Sequence, residues 1–264
     1  MVEAEVTVRD CTTVEDFKQC TELEREVWHD DDLGIMPIRL YFISKTCNAP
    51  TIGAFDRAGR LVGFVHTSLA LVGRHVVYHS HLAAVSERLR QRDIGFRMKL
   101  AQREHALRVG IPLIMWTFDP LLSLNAHLNI NKLGAIIRRY EVDYYSEGFS
   151  RVFEPDMPSD RVFAEWWIAA PHVESVLGGN RPSVPEQAGS VEIPEEIAAV
   201  RTASIEEHLE WRLAVREGFQ RELARGDIVR GFAREPENKR SRYIFAADED
   251  QFHFDDYQGI TTSS

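Results

Sequence analysis

Two histidines, His79 and His81, stand two residues apart in the run Tyr78-His79-Ser80-His81-Leu82-Ala83-Ala84-Val85, and Arg88, Arg90 and Arg92 follow directly. A free imidazole titrates near ~6.5, so at neutral pH it can accept a proton from an amine. Side chains two apart on a regular strand share a face, so the pair would serve one site; a pair of satisfied core histidines is the plain alternative. The arginines fall in the turn between this strand and a helix expected from Asp93 to Val109. The first N–H groups of a helix lack intrahelical partners and its dipole favours negative charge there, so strand, basic turn and helix start together suit an anion of pyrophosphate size. A solvated basic turn is the other reading of the arginines. Asp119, before Pro120, either holds a substrate amine or caps the next helix. Joined to the His-x-His pair it would also give zinc a third ligand, but spacing fixes no complete ligand set, and no metal is expected.

The elements that must position these groups are legible in order. Glu5–Arg9 alternates like a strand, and Thr12 or Thr13 caps a helix from Val14 to Trp28 with Phe17, Cys20, Leu23 and Val27 on one face. The acidic run His29-Asp30-Asp31-Asp32 reads as solvated charge. Pro37 opens a short helix, Ile38–Lys45. Strands Thr51–Asp56 and Arg60–Leu71 are joined by a tight turn through Ala58-Gly59, and the histidine strand, Tyr78–Val85, follows. Beyond the central helix come a buried strand Leu113–Phe118, a short helix Leu121–Leu133, and strands Ile136–Tyr145 and Arg161–Ala170. After these, Gly178–Pro182 and Pro185 read as a loop or linker. Glu192–Glu196 starts a short helical piece, and Ser204–Ala224 is an amphipathic helix whose Ser204 and Glu207 have capping-box spacing. Ile228–Phe232 and Arg242–Phe245 read as strands, and the acidic end from Asp248 reads as mobile.

The order β-α-α-β-β-β-α-β-α-β-β over about Glu5–Ala170, with Arg90-Gln91-Arg92-Asp93-Ile94-Gly95 at its centre, resembles the GNAT superfamily of acyl-CoA N-acyltransferases. The six residues line up with that family's R/Q-x-x-G-x-G/A loop, whose amides hold the pyrophosphate of coenzyme A. One position departs: Asp93 stands where the first glycine is usual. The resemblance implies an α/β (α+β) fold with a mixed, mostly antiparallel central sheet flanked by helices. It implies residues 1–170 as the acyltransferase domain, with 171–264 a C-terminal extension that covers the sheet, forms a small domain or pairs with another subunit.

The same resemblance assigns the site. His79-Ser80-His81 has the offset from the loop of the histidine pair of arylalkylamine N-acetyltransferases, which implies the base role, with His79 at the place of the acidic base of other branches. Cofactor contacts are implied for Leu82, Ala84 and Val85 on the strand and for Arg90, Gln91, Arg92 and Asp93 in the loop. They are implied too for Ile94, Gly95, Phe96 and Arg97 at the helix start, and for Asn125, Asn129 and Lys132 beside the pantetheine arm. The tyrosine that often protonates the leaving thiolate falls here on Ile130, so Tyr140, Tyr144 and Tyr145 become candidates for the acid, Tyr140 foremost. The run WTFDPL…NAHLNINKLGA with Ser159-Asp160-Arg161 and Glu165-Trp166 is similar to a branch that includes amino-acid N-succinyltransferases associated with N-succinylamino-acid racemases. That implies acetyl-CoA or succinyl-CoA as donor and a small-molecule amine or an amino acid as acceptor. The extra carboxylate of a succinyl group would need a cation, for which Arg39, Arg138 and Arg139 are candidates. The different-class alternative is an acyl-CoA sensing or binding module on the same fold, motivated by Asp93 and Ile130.

Composition limits the rest. With 31 basic against 41 acidic residues in 264, a formal net charge of -10, a general nucleic-acid binder is excluded. A 44% hydrophobic content supports a real core. Cys11, Cys20 and Cys47 have no CxxC spacing, so neither a disulfide framework nor a zinc knuckle is expected and a reducing cytoplasm is the simple reading. The first residues lack the apolar segment of a signal peptide, and the longest apolar run, Leu61–Gly73, is too short to span a bilayer. A soluble protein, with a homodimer open, is the expectation.

Overall fold

The computed structural model describes residues 6–28, 34–89, 93–145, 157–182, 189–248 and 254. The chain gathers into two compact units, Met1–Ile114 and Met115–Ser264. The first carries strands β1 (Thr7–Asp10), β2 (Thr51–Phe55), β3 (Leu61–Val72) and β4 (His75–Val85), paired antiparallel in that order. Helices α1 (Val14–Trp28) and α2 (Ile38–Thr46) bury Phe17, Cys20 and Tyr41 against Phe64 and Ala84. Helix α3 (Ile94–Arg108) brings Ile94 and Met98 onto Ile52 and Val65. Apolar side chains from both sides of β3 are therefore buried, which is why the segment reads as a continuous apolar run rather than an alternation. Gly63 permits the close approach of α3: a Cβ there would meet Met98 Cε at 3.1 Å and the Ala84 carbonyl oxygen at 3.2 Å. The hairpin before β3 is held by Asp56, whose Oδ1 accepts from the Ala58 and Arg60 amides at 2.9 and 3.0 Å, with Gly59 at φ +76°.

Strand β5 (Leu113–Phe118) leads into the second unit, where the sheet order is β5, β7 (Arg161–Trp167), β6 (Ile136–Glu141), β9 (Asp227–Glu235), β10 (Arg240–Ala247) and β8 (Gly189–Pro194). The pairs β6–β7, β6–β9, β9–β10 and β8–β10 are antiparallel. The helical elements are α4 (Ser123–Ala126), continued by a π turn at His127–Lys132, then α5 (Pro171–Leu177), α6 (Ile197–Ala203) and α7 (Ile205–Ala224). Helix α7 opens as its capping spacing foretold, Ser204 Oγ accepting from the Glu207 amide at 3.1 Å.

The expected element order through β7 is the observed one, and the mixed, mostly antiparallel sheet flanked by helices is present. Some bounds and types differ. Strand β4 starts three residues before Tyr78, because Gly73 at φ +58° and Arg74 make a two-residue hairpin from β3. Strand β6 stops at Glu141, where Asp143 (φ +47°) turns and accepts from the Ser159 amide at 3.0 Å. Strand β7 ends at Trp167, and Pro171 opens the unforeseen α5. The segment around Glu192 is not helical: Val191 and Ile193 point into the core from strand β8, registered on β10, and the helix starts only at Ile197. Glu5, His29–Asp32, Pro185 and most of the acidic end lie outside the described residues. No helix among the described residues is long and apolar enough to cross a membrane.

Candidate functional site

Strand β4 carries the histidines. Its register on β3 pairs His66 with Leu82 and Thr67 with Ser80, so His81 is an extra residue on β4, a β-bulge. A bulge bends and twists the strand and re-aims the side chain it carries. The His79 and His81 ring centroids lie 5.8 Å apart, and His81 is 6.4 Å from His66. His66 is packed: 1% exposed, with Nδ1 2.8 Å from Thr51 Oγ1 and Nε2 3.2 Å from Ser44 Oγ. His79 is half-buried and His81 exposed, and neither ring makes a hydrogen bond to a described residue. Burial, then the charge of His81, lowers the His66 pKa to about 3. Burial, then His81 and Lys99, lowers that of His79 to about 4, and burial lowers that of His81 as well. All three rings are neutral at pH 7, the form that can accept a proton.

Behind Ser80 the sequence reading missed a polar cluster. Lys99 of α3 is 6% exposed and donates to Ser80 Oγ at 2.8 Å. Gln102 Nε2 donates to Thr67 Oγ1 at 2.7 Å and to Ser80 Oγ at 3.2 Å. Burial lowers the lysine's pKa to about 7. Nothing in the α3 pattern distinguishes a buried lysine from a solvated one, because lysine is almost never fully buried.

At the helix start, Asp93 occupies the N-cap position with φ +54°, and its side chain makes no capping hydrogen bond. That left-handed backbone is the conformation a glycine adopts without strain, and Asp is among the few other residues that tolerate it. The departure from the glycine pattern thus leaves the backbone of the turn as a glycine would shape it. Ile94 is buried in the core, Gly95 and Phe96 are half-buried, and Arg97 sends Nη2 to the Val6 carbonyl at 2.7 Å. Leu82 and Ala84 pack on the α1 cluster and Val85 on the α3 cluster, so any cofactor contact from them uses backbone. Arg90, Gln91 and Arg92 lie outside the described residues.

In the second unit the expected chemical groups are tied down. Asp119 Oδ1 and Oδ2 accept from Arg212 Nη1 and Nη2 at 2.6 and 2.7 Å, and Oδ1 also accepts from the Leu121 amide at 2.8 Å. Arg212, on α7, is 0% exposed. Burial alone would raise the Asp119 pKa, but the paired hydrogen bonds and charge of Arg212 outweigh it and hold the carboxyl below its usual range. Neither expected role is seen: the bond to Leu121 closes a turn ahead of α4, whose N-cap Leu122 receives no side-chain hydrogen bond, and the place of a substrate amine is taken by a guanidinium. The Tyr140 hydroxyl donates a hydrogen bond to Asp160 Oδ2 at 2.5 Å, and Arg216 grips the same carboxylate at 2.9 and 2.8 Å. Burial, then Asp160, pushes the phenol well above its ordinary value, which corrects the expectation of a ready acid: a group this reluctant to release its proton does not protonate a thiolate near neutrality. Arg138 is paired with Glu165 and Asp248, and Arg139 with Glu141 while lying over the Phe163 ring, so neither is an open cation. Asn125 is exposed on α4, Asn129 is buried, and Lys132 closes the π turn half-buried. Ile130, in the same turn, is 1% exposed. Among the described residues no group of three His, Cys, Asp or Glu side chains is placed to hold a metal ion.

No family model matches the chain and no curated protein matches its sequence. Solved structures do match. A candidate acetyltransferase from Acinetobacter baylyi ADP1 aligns over 63% of this chain and 95% of its own, with a TM-score of 0.51 and 16% identity. The ribosomal-protein-S18-alanine N-acetyltransferase of Escherichia coli aligns over 63% and 96%, with 0.49 and 12%. A GNAT-family candidate acetyltransferase from Desulfovibrio desulfuricans aligns over 62% and 100%, with 0.49 and 10%. At such identities the likeness concerns fold alone: the chain shares the mixed α/β fold, a mostly antiparallel sheet flanked by helices, of the Acinetobacter structure.

Proposed function

We propose that this protein is an acyl-CoA-dependent N-acyltransferase of the cytoplasm, using acetyl-CoA or succinyl-CoA to acylate a small-molecule amine, amino acids among the acceptors. The observation that carries this reading is the pairing of β4 with the start of α3: neutral imidazoles without a hydrogen bond to a described residue on a bulged strand, and a helix start at left-handed Asp93 without a side-chain cap. The acyl thioester supplies the electrophilic carbonyl. The α3 amides, with Arg90, Gln91 and Arg92, hold its pyrophosphate, against the repulsion of the Asp93 carboxylate. His79 and His81 take the proton. An imidazole near pKa 4 cannot deprotonate an ordinary ammonium of pKa ~10 in advance, since six units amount to ~8 kcal/mol. It takes the proton as nitrogen attacks, when the N–H becomes acidic, and exposed His81 passes it to water. Holding amine and carbonyl in line supplies the larger share of the rate. Of the cations considered for a succinyl carboxylate, Arg39 is the one without a partner among the described residues.

Calorimetry with acetyl-CoA and succinyl-CoA tests the site. The parent binds at least one, and Gly95→Glu, which puts a carboxylate in the first turn of α3, abolishes binding in a folded protein; unchanged affinity would refute the pyrophosphate site. A second reading, an acyl-CoA sensing module, is favoured by buried Ile130 at the usual tyrosine place. It predicts binding without release of thiol.

A further inference from the structure

The inner face of α3 changes character along its length. Ile94 and Met98 are apolar and pack in the core, whereas the buried polar positions that follow are Lys99, Gln102 and His105, each directed at β3 or β4. Lys99 Nζ and Gln102 Nε2 both donate to Ser80 Oγ, and Gln102 Nε2 donates to Thr67 Oγ1 as well. His105 Nδ1 lies 3.1 Å from the Tyr78 hydroxyl, which donates to the Asn48 carbonyl. Apolar side chains would fill this face without the desolvation that an ammonium and an amide undergo. What directed bonds supply, and non-directional apolar contact does not, is register.

Register matters here because of the bulge. Before it, Tyr78 and Ser80 face α3; after it, Leu82 and Ala84 pack on the α1 cluster and Val85 on that of α3, so the alternation of β4 is reversed across His81. His79 is out of phase with Ser80, and His81 lies 6.4 Å from the His66 ring that Ser44 of α2 contacts, so both histidines fall on the face away from α3. A strand that slips by one residue turns its side chains to the opposite face. Thr67 and Ser80 are the register pair that borders the bulge; Gln102 joins the two, and Lys99 holds the second. We propose that Lys99, Gln102, Ser80 and Thr67 form a register lock that fixes the bulge at His81 and so aims His79 and His81 at one site. They are positioning residues, and the catalytic consequence rests on the acyl-transfer reading.

The test combines NMR of the histidine rings in the intact protein with turnover of acetyl-CoA or succinyl-CoA by small amines. Ser80→Ala and the double variant Lys99→Met, Gln102→Met should both weaken the cross-peak between the His81 and His66 rings. The double variant should unfold close to the parent, since apolar side chains of similar shape suit a buried site. In each variant kcat should fall by ~10-fold to 100-fold with KM for the thioester unchanged, the size of a small misplacement. Ser80→Thr, which keeps the hydroxyl, should retain the parental cross-peak and rate. A parental cross-peak in the folded double variant, or lowered stability with an unchanged rate per folded molecule, would overturn the lock. A parent that turns over no amine would refute the acyl-transfer reading instead, and the ring cross-peak, which needs no substrate, would still decide the lock.

Discussion

Strand β4 and the residues that follow β5 both carry titratable groups where the sequence suggests chemistry, and the structure surrounds them differently. Asp119, Tyr140 and Asp160 have their oxygens engaged by Arg212, Arg216 and one another. The rings of His79 and His81 make no hydrogen bond to a described residue, and His81 sits at a bulge. A buried charge survives only with its partner, since removing one member leaves the other uncompensated. A polar ring left open on an irregular strand contributes little to stability. The contrast separates two meanings of a perturbed pKa: Asp119 is shifted by the interaction that fixes α7, whereas His81 is shifted by burial and His79 by burial, then by His81 and Lys99.

The comparison can be broken at either region. The largest effect is expected from replacing both histidines: the double variant His79→Gln, His81→Gln should lose ~10²–10⁴-fold in turnover with cofactor affinity nearly intact. Single variants will be milder if the pair titrates together. The base limb of the parent's pH–rate profile should lie below ~6.5, toward the value of about 4 for His79. It is best seen with an arylamine acceptor whose own titration lies lower. Next comes Arg212→Ala, expected to cost ~3–5 kcal/mol of stability by stranding Asp119. Denaturant unfolding measures it, and a change below ~1 kcal/mol would show the pair to be dispensable.

A third effect follows from sign. His66 and His79 have folded pKa values of about 3 and about 4, below the ~6.5 of an unfolded histidine. The unfolded chain therefore takes up protons first. Their contribution to stability is complete above pH ~6.5 and lost as pH falls toward about 4, at up to ~1.4 kcal/mol per pH unit for each group. Unfolding curves across that window check it, and His66→Asn should flatten the slope. The smallest effect is at the α3 start: Asp93→Gly keeps the left-handed backbone, removes its strain and removes a negative charge. Stability should rise by ~0.5–1 kcal/mol and cofactor affinity should hold or increase. Weaker binding would show that Asp93 organises the loop.

Fold was the more legible property, because apolar period and punctuation act locally. Val14–Trp28 and Leu113–Phe118 have the expected bounds, and the Ser204 cap marks the start of α7. Misreadings arose where a distant partner decides: Glu192 lies within a strand because β10 registers on it, which its Pro and Glu neighbours do not disclose. At the site, the histidine spacing and the basic turn were visible, but the roles of Asp119 and Tyr140 depended on Arg212 and Arg216, about ninety and seventy-six positions downstream in the chain. Residue type alone cannot separate a free carboxylate from one already paired. Lys99 shows the reverse case, a residue the sequence did not single out that burial makes titratable near neutrality.

The central claim is tested most directly by following free thiol. Purified protein is mixed with acetyl-CoA or succinyl-CoA and a panel of small amines and amino acids, and coenzyme A thiol and acylated amine are quantified together. The account predicts amine-dependent, multiple-turnover release of thiol matched mole for mole by N-acylated product, suppressed in the double histidine variant. Tight binding of the thioester with no thiol released by any amine would contradict it, and the β4–α3 junction would then be a site that senses acyl-CoA without consuming it.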